Sequence, residues 1–243
     1  MSLNIECNLH YQRIFRFIEV HQPEIICMQE VLEEDFEFLK KEFGCEGVFK
    51  PVGYVHASYE RYKNIHTKRY GIAIFSKKII ASGHFFYWGN EENLRVPFKD
   101  FMSERNERRS YPAVWVDIEA TDGEVYRCVT THFPVTENGE STPHQLEILP
   151  PFFEGLDILK DIIICGDFNA PRGNQTFTEL ALRYRDVVPK EYLTSIDQNL
   201  HRVKGIMLMV DGLFVTKKYT ASNVRLIDGL SDHMAIWADI MVS

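Results

Sequence analysis

The apolar positions of this chain fall into short runs of strand length, which alternate with stretches of helical spacing and with polar turns. The runs predict strands at residues 2–5, 25–29, 71–76, 79–87, 113–120, 124–133, 161–166, 206–216, 221–227 and 235–241. Helical spacing predicts helices at residues 9–21 and 32–43, a helical segment between 143 and 159, and a helix near 176–184. We expect Asn8 to cap the first helix, Gly44 to stop the second, and Pro150-Pro151 to interrupt the third.

The connections between these strands indicate the architecture. Asp122-Gly123 is a typical tight turn between strands 113–120 and 124–133, and Lys77-Lys78 is expected to join 71–76 and 79–87 as a second hairpin. The strands are too numerous for one sheet, so we expect two sheets packed face to face with helices outside. The pattern therefore predicts the α/β (α+β) class. We expect a single domain over residues 1–243, because no linker or repeat divides the chain.

Composition limits the classes of function. The 243 residues are 45% apolar and 26% charged, which is ordinary for a globular protein, and the net charge is −8. An acidic chain is a poor candidate for coating nucleic acid non-specifically, because that binding depends on Lys and Arg neutralising phosphates. A compact site needs only a local positive face, so the net charge does not exclude a phosphate substrate.

The cysteines and the length of the apolar runs bear on location. The five cysteines form no CxxC pair, and Cys27 and Cys165 lie inside apolar runs, as buried free thiols do in a reducing compartment. We expect no signal peptide, because a strand begins almost at once, and no run reaches the roughly 20 apolar residues of a membrane span. We expect a cytoplasmic protein that acts as a monomer.

Two polar segments, expected to be loops, carry local positive charge. Residues 53–69 have a net charge of +3 and include Arg61, Lys63 and Arg69, while residues 95–109 have +2 and include Arg108 and Arg109. The aromatic residues interleaved with them are Tyr54, Tyr59, Tyr62, Phe98 and Phe101. Cations beside aromatic faces suit a phosphate that carries a base, a sugar or an aryl group. The alternative is two solvated loops whose rings pack into the core.

Acidic and amide side chains end the first two strands. Glu30 follows the apolar run 25–29, and Asn4 and Glu6 lie two residues apart, so alternation places both on one side of their strand. A carboxylate buried at a strand end needs a cation, which is either an Arg or Lys in a structural salt bridge or a divalent metal. Mg²⁺ takes one or two carboxylates together with waters and phosphate oxygens, which suits Glu30.

A third apolar run ends in a carboxylate and a carboxamide. In the stretch IICGDFN at residues 163–169, Asp167 and Asn169 flank Phe168 and can point to one side of the strand end. Asp167 can orient or deprotonate a water, and Asn169 can donate to a phosphoryl oxygen without adding charge. The alternative is a simple turn, because Gly, Asp and Asn all favour turns. The buried strand before them favours a site.

Histidines and carboxylates recur towards the end of the chain. Asp232 and His233 precede an apolar strand, and Asp211 is a charge inside another, so it needs a partner. His233 is our candidate partner, because a carboxylate fixes the tautomer of a histidine and stabilises its charged form. An imidazolium can then stabilise charge on a phosphate oxygen. His132 also ends a strand, where a lone histidine is usually a satisfied hydrogen-bonding residue.

These motifs, taken in order, resemble those of the endonuclease/exonuclease/phosphatase superfamily, which includes deoxyribonuclease I, deadenylases, sphingomyelinases, tyrosyl-DNA phosphodiesterase 2 and inositol-polyphosphate 5-phosphatases. The resemblance is carried by Asn4-x-Glu6, Gln29-Glu30, His132, Gly166-Asp167-Phe168-Asn169, Asp211 and Ser231-Asp232-His233. It implies a deoxyribonuclease-I-like, four-layer α/β/β/α sandwich of two mixed sheets with outer helices, and a site at one rim. It also implies hydrolysis of a phosphoester with Mg²⁺ or Mn²⁺ as the cofactor.

The resemblance implies a role for each matching residue. Glu30 would be the principal metal ligand, supported by Asn4, Glu6 and Asp232. The other matching residues would act on the substrate or the water: Asp167 activates the water, Asn169 holds a phosphoryl oxygen, Asp211 pairs with His233, and His233 and His132 stabilise the transition state. These roles agree with what the residue types can do unaided, since they need only metal polarisation, water orientation and charge stabilisation.

The histidine at position 132 reduces the number of superfamily branches that the sequence resembles. The abasic-site endonucleases of the superfamily have a tyrosine there, so His132 favours the histidine-containing branches, such as deoxyribonuclease I, the sphingomyelinases and the deadenylases. The resemblance also suggests a basic residue before strand 113–120 that contacts the substrate phosphate. Arg109 fits best and Arg108 nearly as well. Arg69, Arg61 and Lys63 are further candidates for substrate binding.

Three functions follow from these observations. The first is a metal-dependent phosphodiesterase, a nuclease or nucleic-acid end-processing enzyme, which the two basic and aromatic loops favour. The second is a phosphatase or phosphodiesterase that acts on a small molecule or a lipid headgroup, which the acidic composition favours. The third is a catalytically inactive binding module, and the sequence argues against it because every metal-binding and water-handling position is filled.

Overall fold

The chain folds into strands and helices close to those that the sequence patterns predict, in a computed structural model that describes residues 1–55, 68–96, 108–136 and 139–243. The strands are β1 (Ser2–Asn4), β2 (Ile25–Leu32), β3 (Glu46–Tyr54), β4 (Arg69–Ser76), β5 (Ile79–Trp88), β6 (Tyr111–Glu119), β7 (Val125–His132), β8 (Ile163–Asp167), β9 (Arg185–Asp186), β10 (Asp211–Val215), β11 (Tyr219–Ile227) and β12 (Ala235–Val242). The helices are α1 (Tyr11–His21), α2 (Phe36–Phe43), α3 (Pro143–Glu147), α4 (Leu149–Leu159) and α5 (Gln175–Arg183), with short 3₁₀ segments at Glu33–Asp35 and Glu91–Asn93.

The strands form two mixed six-stranded sheets. The first sheet has the order β11-β12-β1-β2-β4-β3, and the second has the order β5-β6-β7-β8-β10-β9. Each sheet contains one parallel pair, β1 with β2 and β7 with β8, among antiparallel neighbours. The sheets pack face to face, and the outer face of the first sheet is covered by α1 and α2 through Ile14, Ile18 and Leu39. Helix α4 packs on β5. The expected four-layer sandwich is confirmed.

The expected hairpin through Lys77-Lys78 is wrong. Strand β4 pairs with β2 and β3 in the first sheet, whereas β5 pairs with β6 in the second, so the two lysines connect the two layers. A tight hairpin needs residues such as Gly or Asn that accept a positive φ, and two lysines do not provide this. The Asp122-Gly123 hairpin is confirmed, because β6 and β7 pair antiparallel from Ala113–Thr131 to Glu119–Val125.

Strand β3 has no counterpart in the sequence-based expectation. It carries Pro51 and two glycines, and such residues argue against a strand that is hydrogen-bonded on both sides. The structure resolves the conflict by placing β3 at the edge of the first sheet, where proline is tolerated. The expected strand 206–216 is shorter, because β10 begins only at Asp211, and the backbone before it is bonded to a loop through Ser195.

The helix ends also depart from the expectation in two places. Asn8 does not cap α1, because the chain turns through residues 6–10 and the helix begins at Tyr11 after His10. Residues 32–35 are not α-helical, because β2 continues to Leu32 and the 3₁₀ segment follows. Gly44 closes α2 in the left-handed conformation as expected. The two prolines begin α4 rather than disrupt it, since proline is tolerated in a first helical turn.

The sheet directions bring one set of strand ends to one rim of the sandwich. The parallel pairs β1/β2 and β7/β8 end at this rim, and the antiparallel strands β10 and β12 begin there. Asn4 is in register with Gln29, and Asp167 is in register with both His132 and Asp211. Within the described residues, none of the helices has the length and apolar character needed to cross a bilayer.

Candidate active site

A bulge in β2 aims Glu30 at the rim. The register of β2 with β4 shifts between Gln29 and Val31, so Glu30 is the extra residue, and its φ is 61°. A bulge of this kind redirects a side chain and is common beside active sites. On the opposing strand, a side chain at Gly71 would lie 2.0 Å from the carbonyl oxygen of Lys50, so only glycine fits there. The position of Glu30 thus depends on strained backbone rather than on regular alternation.

Asn4 links the two sheets across the rim. Its Nδ2 atom donates to Glu30 Oε1 at 3.2 Å and to Asp167 Oδ2 at 3.0 Å, and its Oδ1 accepts from the backbone N–H of Glu6. Asn4 comes from the first sheet and Asp167 from the second, so one amide fixes the separation of the two carboxylates. Asn4 and Asp167 are both almost completely buried.

Asp167 is positioned by glycine before it and asparagine after it. Gly166 has a φ of 149°, and a side chain there would lie 2.1 Å from the carbonyl oxygen of Thr131 on β7. Asn169, with a φ of 47°, donates its backbone N–H to Asp167 Oδ1 at 2.8 Å. Its side-chain Nδ2 donates to the carbonyl oxygen of Phe133 at 2.9 Å, which leaves one amide N–H without an acceptor in the described part of the chain.

Two histidines approach the same oxygen of Asp167. His132 Nε2 lies 3.5 Å from Asp167 Oδ2, and His233 Nε2 lies 3.9 Å from it. His233 Nδ1 is 2.8 Å from Asp211 Oδ2, so the pairing of these two residues that the sequence suggested is present. Ser195 supports Asp211, because its hydroxyl oxygen accepts the backbone N–H of both Val210 and Asp211.

The two histidines differ in charge. Burial lowers the pKa of His132 to about 4; Asp167 acts in the opposite direction, and the positive charges of Arg109 and His233 lower the pKa further. Burial alone would also lower the pKa of His233, but Asp211 and Asp167 raise it well above its ordinary value. At neutral pH the rim therefore holds one neutral imidazole and one imidazolium ion.

The carboxylates at the rim repel one another. Burial, followed by the charges of Asp232 and Glu6, raises the pKa of Glu30 to about 7, although the hydrogen bond from Asn4 and the charge of His233 act in the other direction. Burial and Asp211 likewise raise the pKa of Asp167. Glu6 faces the same cavity, with its Oε2 atom 2.8 Å from His10 Nε2. A cluster of this kind binds a cation favourably, because each added positive charge relieves the repulsion.

A cavity of about 570 Å³ opens over this rim. The site residues that line it are Asn4, Glu6, Glu30, Arg109, His132, Asp167, Asn169, Asp232 and His233. Asp211 is one layer deeper and reaches the cavity through His233. The guanidinium carbon of Arg109 lies 5.6 Å from the ring centre of Tyr70, which also lines the cavity. A cation held over an aromatic ring at the cavity wall is suited to bind a phosphate.

The structure separates Arg108 and Arg69 from this cavity. Arg108 donates to the carbonyl oxygen of Val96, and Arg69 forms ion pairs with Glu33 and Glu91. Neither is among the residues that line the cavity. Arg61 and Lys63 lie outside the described residues. Of the two arginines before strand β6, Arg109 is therefore the one that faces the site.

Two features of the site were missing from the sequence-based expectation. His10 holds Glu6, and a signal was present in the four-residue spacing of the two. The segment 201–208, which was partly assigned to a strand, forms a wall of the cavity through His201, Arg202, Val203, Ile206, Met207 and Leu208. Its sequence has no periodicity that would place it beside Glu30. The exposed Val203 and Met207 give this wall apolar surface.

A two-sheet sandwich with outer helices and with Asn, Glu, Asp and His at one rim defines a deoxyribonuclease-I-like protein. The profile of the Endonuclease/Exonuclease/phosphatase family matches residues 1–233, so the chain belongs to this family. Members of the family are hydrolases that act on phosphoesters. The sequence matched none of the curated proteins with which it was compared.

Solved structures have the same fold at low sequence identity. An endonuclease/exonuclease/phosphatase protein from Bacteroides vulgatus has a TM-score of 0.68 and 18% identity, covering 96% of this chain and 90% of its own. A mannosyl-6-phosphatase from Bacteroides thetaiotaomicron has a TM-score of 0.69 and 16% identity, covering 99% and 98%. The human Nocturnin catalytic domain, with a bound sulfate anion, has a TM-score of 0.68 and 16% identity, covering 99% and 92%. At these identities the likeness concerns the fold alone.

Proposed function

We propose that this protein is a Mg²⁺- or Mn²⁺-dependent phosphodiesterase that hydrolyses a phosphoester by in-line attack of water, acting on nucleic acid as a nuclease or end-processing enzyme. The single observation that carries the proposal is the convergence of Glu30, Asn4, Asp167 and the Asp211–His233 pair on one cavity. A structural salt bridge would not need this combination, because carboxylates, an amide and an imidazolium suit a cation and an anionic substrate together.

The donor set fits a hard divalent cation. Glu30 would be its principal ligand and Asp232 a second acidic group beside it, with Asn4 and Glu6 supporting it directly or through water, since Mg²⁺ takes one or two carboxylates and completes its shell with water and phosphate. The raised pKa of Glu30, caused by burial and by Asp232, means that the carboxylates lack enough positive charge around them. When bound, the ion supplies the charge that stabilises an anionic phosphoryl group.

The residues around Asp167 are arranged to handle the attacking water. Asp167 already accepts N–H groups from Asn4 and Asn169, so its carboxylate is held in one orientation. Its pKa is raised by burial and by Asp211, which makes it a better base than an exposed aspartate. We assign Asp167 the orientation of the water and the acceptance of its proton.

The remaining residues bind the charge that develops on the phosphoryl group. His233 stays protonated because of Asp211 and directs its Nε2–H towards the cavity, where it can donate to a phosphoryl oxygen. His132 is neutral and contributes one N–H rather than a charge. The free N–H of Asn169 and the guanidinium of Arg109 are further donors at the cavity wall.

A second candidate is a phosphatase or phosphodiesterase that acts on a small molecule or a lipid headgroup. The net charge of −8 favours it, because a long nucleic-acid footprint needs many cations. A cavity of about 570 Å³ is also large enough for one phosphorylated sugar or headgroup. The neighbour named a mannosyl-6-phosphatase, which covers 99% of this chain, adds a sugar phosphate as a ligand to test.

A substrate panel separates these possibilities. Wild-type protein would be tested with Mg²⁺ and with Mn²⁺ on single- and double-stranded DNA, RNA, a 5′-tyrosyl oligonucleotide, inositol polyphosphates, sphingomyelin vesicles, mannose 6-phosphate and an aryl phosphodiester. The proposal expects cleavage of an oligonucleotide that is abolished by EDTA and by Glu30→Gln. Cleavage of sphingomyelin or a sugar phosphate alone would select the second candidate.

The control for this panel is Glu46→Gln. Glu46 is an exposed glutamate at the start of β3, far from the cavity, so this variant should keep wild-type activity. Equal loss in both variants would point to a general folding defect, whereas full activity in Glu30→Gln would point to a contaminating enzyme or exclude Glu30 from the site. If no substrate is cleaved and calorimetry detects no binding of Mg²⁺ or Mn²⁺, the catalytic proposal is wrong.

A further inference from the structure

Three cysteines from three strands meet between the sheets. Cys27 on β2, Cys128 on β7 and Cys165 on β8 place their sulfur atoms within 4.8 Å of one another, and the Cys27 and Cys128 sulfurs are 3.5 Å apart. All three residues are at most 3% exposed. They come from both sheets and from distant parts of the sequence, so the fold rather than the local sequence assembles the cluster. We call these residues the thiol cluster.

The thiol cluster lies one layer below the active site. Because side chains alternate along a strand, Cys27 shares a face with Gln29, Cys128 with Thr130, and Cys165 with Asp167. Gln29 donates to the hydroxyl of Thr130 at 2.9 Å, and this contact lies between the sulfurs and the rim. The cluster is thus separate from the carboxylates that face the active-site cavity.

A second cavity leads to the sulfurs from another side. Its volume is about 320 Å³, all three cysteines line it, and none of the described residues lines both this cavity and the active-site cavity. Its lining also includes the carboxylates of Glu24, Asp122 and Asp239. Asp239 and Glu24 are exposed, and the Met1 ammonium also lines the cavity, so three carboxylates outnumber one ammonium and the net charge of the lining is negative. A cation entering this cavity would therefore be attracted before it meets the thiols.

The spacing of the sulfurs suits a bound metal. Thiolate sulfurs bind a metal such as Zn²⁺ at about 2.3 Å, so three ligands of one ion lie roughly 3.8–4.0 Å apart. The Cys27–Cys128 distance of 3.5 Å is slightly shorter than this value, and the other two sulfur–sulfur distances are at most 4.8 Å, so small side-chain movements bring all three sulfurs to the distances of one ion. A disulfide would join only two of the three, and it needs sulfurs at about 2.05 Å, which is well below the 3.5 Å between Cys27 and Cys128. Buried cysteines that only fill space need not converge in a threefold cluster at the end of a cavity.

We propose that Cys27, Cys128 and Cys165 bind one soft, thiophilic cation of the class of Zn²⁺, Cd²⁺ and Cu⁺, at a site distinct from the hard-cation site at Glu30. Sulfur ligands select such ions, whereas carboxylate and amide oxygens select Mg²⁺. Binding forms up to three metal–sulfur bonds, and each thiol that ligates releases its proton to the solvent. The site needs no redox step, and it does not depend on the proposed phosphodiesterase activity.

Titration with Cd²⁺ tests this site directly. Cd²⁺ is a soft probe whose bonds to thiolates absorb in the ultraviolet, and excess Mg²⁺ with a phosphine reductant keeps the carboxylate site occupied and the thiols reduced. Wild-type protein should bind one Cd²⁺ per chain with this absorption and should release protons. Cys27→Ala, Cys128→Ala and Cys165→Ala should each weaken binding by at least about 100-fold, since even loss of a ligand's outer partner costs up to that.

The other two cysteines provide matched controls. Cys7 is buried beside the active site and Cys45 is half-buried, and neither belongs to the thiol cluster. Cys7→Ala and Cys45→Ala should therefore keep the wild-type affinity for Cd²⁺. The proposal is overturned if these variants lose as much affinity as the cluster variants, or if the cluster variants keep the absorption band.

A second measurement on unmodified protein guards against variants that fail to fold. X-ray absorption at the cadmium edge counts the sulfur neighbours of the bound ion. Three sulfur neighbours support the thiol cluster as the site. A shell of oxygen and nitrogen neighbours, or one Cd²⁺ bound by a single sulfur, overturns it.

Discussion

The Nδ1 atom of His233 lies 2.8 Å from Oδ2 of Asp211, and both side chains are buried at the rim of the sandwich. This contact gives His233 a fixed orientation and a positive charge, because Asp211 and Asp167 more than offset the effect of burial on its pKa. His132, on the other side of Asp167, has no hydrogen-bond partner for its Nδ1 among the described residues, and burial lowers its pKa to about 4, so it is neutral. The pair thus decides which of the two histidines can act as a cation.

Replacing Asp211 should change the pH dependence of hydrolysis. In Asp211→Asn, the pKa of His233 falls, because its largest source of negative charge is lost while burial remains. His233 is active when protonated, so the alkaline limb of the pH–rate profile should move to lower pH. We expect the maximal rate to fall by about 100-fold or more.

The control for this prediction is Asp239→Asn, on strand β12. Asp239 is exposed and accepts a hydrogen bond from Asn223, so this variant removes the same charge without touching the rim. Its pH–rate profile should match that of the wild type. An unshifted alkaline limb in Asp211→Asn would contradict the assignment of His233 as the protonated group.

Replacing Glu30 should separate metal binding from folding. Glu30→Gln keeps the shape of the side chain but removes the charge that the ion would neutralise, so we expect the affinity for Mg²⁺ or Mn²⁺ and the rate to fall together, the rate by at least about 1000-fold. Calorimetric titration with Mn²⁺ and steady-state rates measure the two effects. Wild-type affinity in Glu30→Gln would exclude Glu30 as a ligand.

The raised pKa of Glu30 predicts how the stability of the metal-free protein depends on pH. The pKa of Glu30 is about 7 in the folded protein, raised by burial and Asp232 from an ordinary value of 4.5. Because the folded state binds the proton more tightly, this contribution to stability is complete below pH 4.5 and is lost as pH rises through about 7. The metal-free protein should therefore lose about 1–3 kcal/mol of unfolding free energy over this range.

Thermal unfolding of metal-free protein measured across this pH range checks the loss. In Glu30→Gln the decline should be smaller, whereas the exposed Glu46→Gln should behave like the wild type. Added Mg²⁺ should raise the midpoint more at pH 8 than at pH 5, because it binds the ionised carboxylate. If the thermal unfolding midpoint of the wild type in EDTA rose with pH, the predicted direction of this effect would be wrong.

Much of the fold and the site could be predicted because the polar residues that end the strands can be recognised in the sequence. Apolar runs end in Asn4, Glu30, His132 and Asp167, and parallel neighbours deliver such ends to one edge. The pairing of Asp211 with His233 followed from the cost of an unpartnered charge in a strand. The resemblance to the endonuclease/exonuclease/phosphatase superfamily then fixed the two-sheet architecture that periodicity alone only suggested.

What could not be predicted depends on contacts between distant segments. Lys77 and Lys78 look like a turn within one sheet, and only the pairing of β4 with β2 and of β5 with β6 assigns them to a crossing between sheets. The bulge at Glu30 and the edge position of Pro51 likewise follow from partner strands that no local pattern identifies. The position of segment 201–208 at the cavity wall likewise depends on distant parts of the chain, and no local pattern predicts it.

Arg109 and Arg108 are adjacent in sequence but should differ in function. Arg109 lines the active-site cavity beside Tyr70, whereas Arg108 donates to the carbonyl oxygen of Val96. Arg109→Ala should lower kcat/KM by about 10- to 100-fold, as expected for the loss of a charge-assisted hydrogen bond to phosphate. Arg108→Ala is the matched control and should change kcat/KM by less than about threefold. Equal effects would mean that the register assigned to this segment is wrong.

Gly166 should be the most sensitive glycine at the rim, because two constraints coincide there. Its φ is 149°, and a methyl group would lie 2.1 Å from the carbonyl oxygen of Thr131 in the paired strand. Gly166→Ala should therefore lower the unfolding free energy by about 2–4 kcal/mol and displace Asp167, so that activity falls even at saturating metal. Gly123→Ala is the control, since Gly123 also has a positive φ of 83° but an added methyl group would have none of the described atoms within 4 Å, and the substitution should cost only about 1 kcal/mol with full activity. Urea unfolding and steady-state rates measure both effects, and equal losses in the two variants would show that φ alone, rather than the close approach of β7, constrains Gly166.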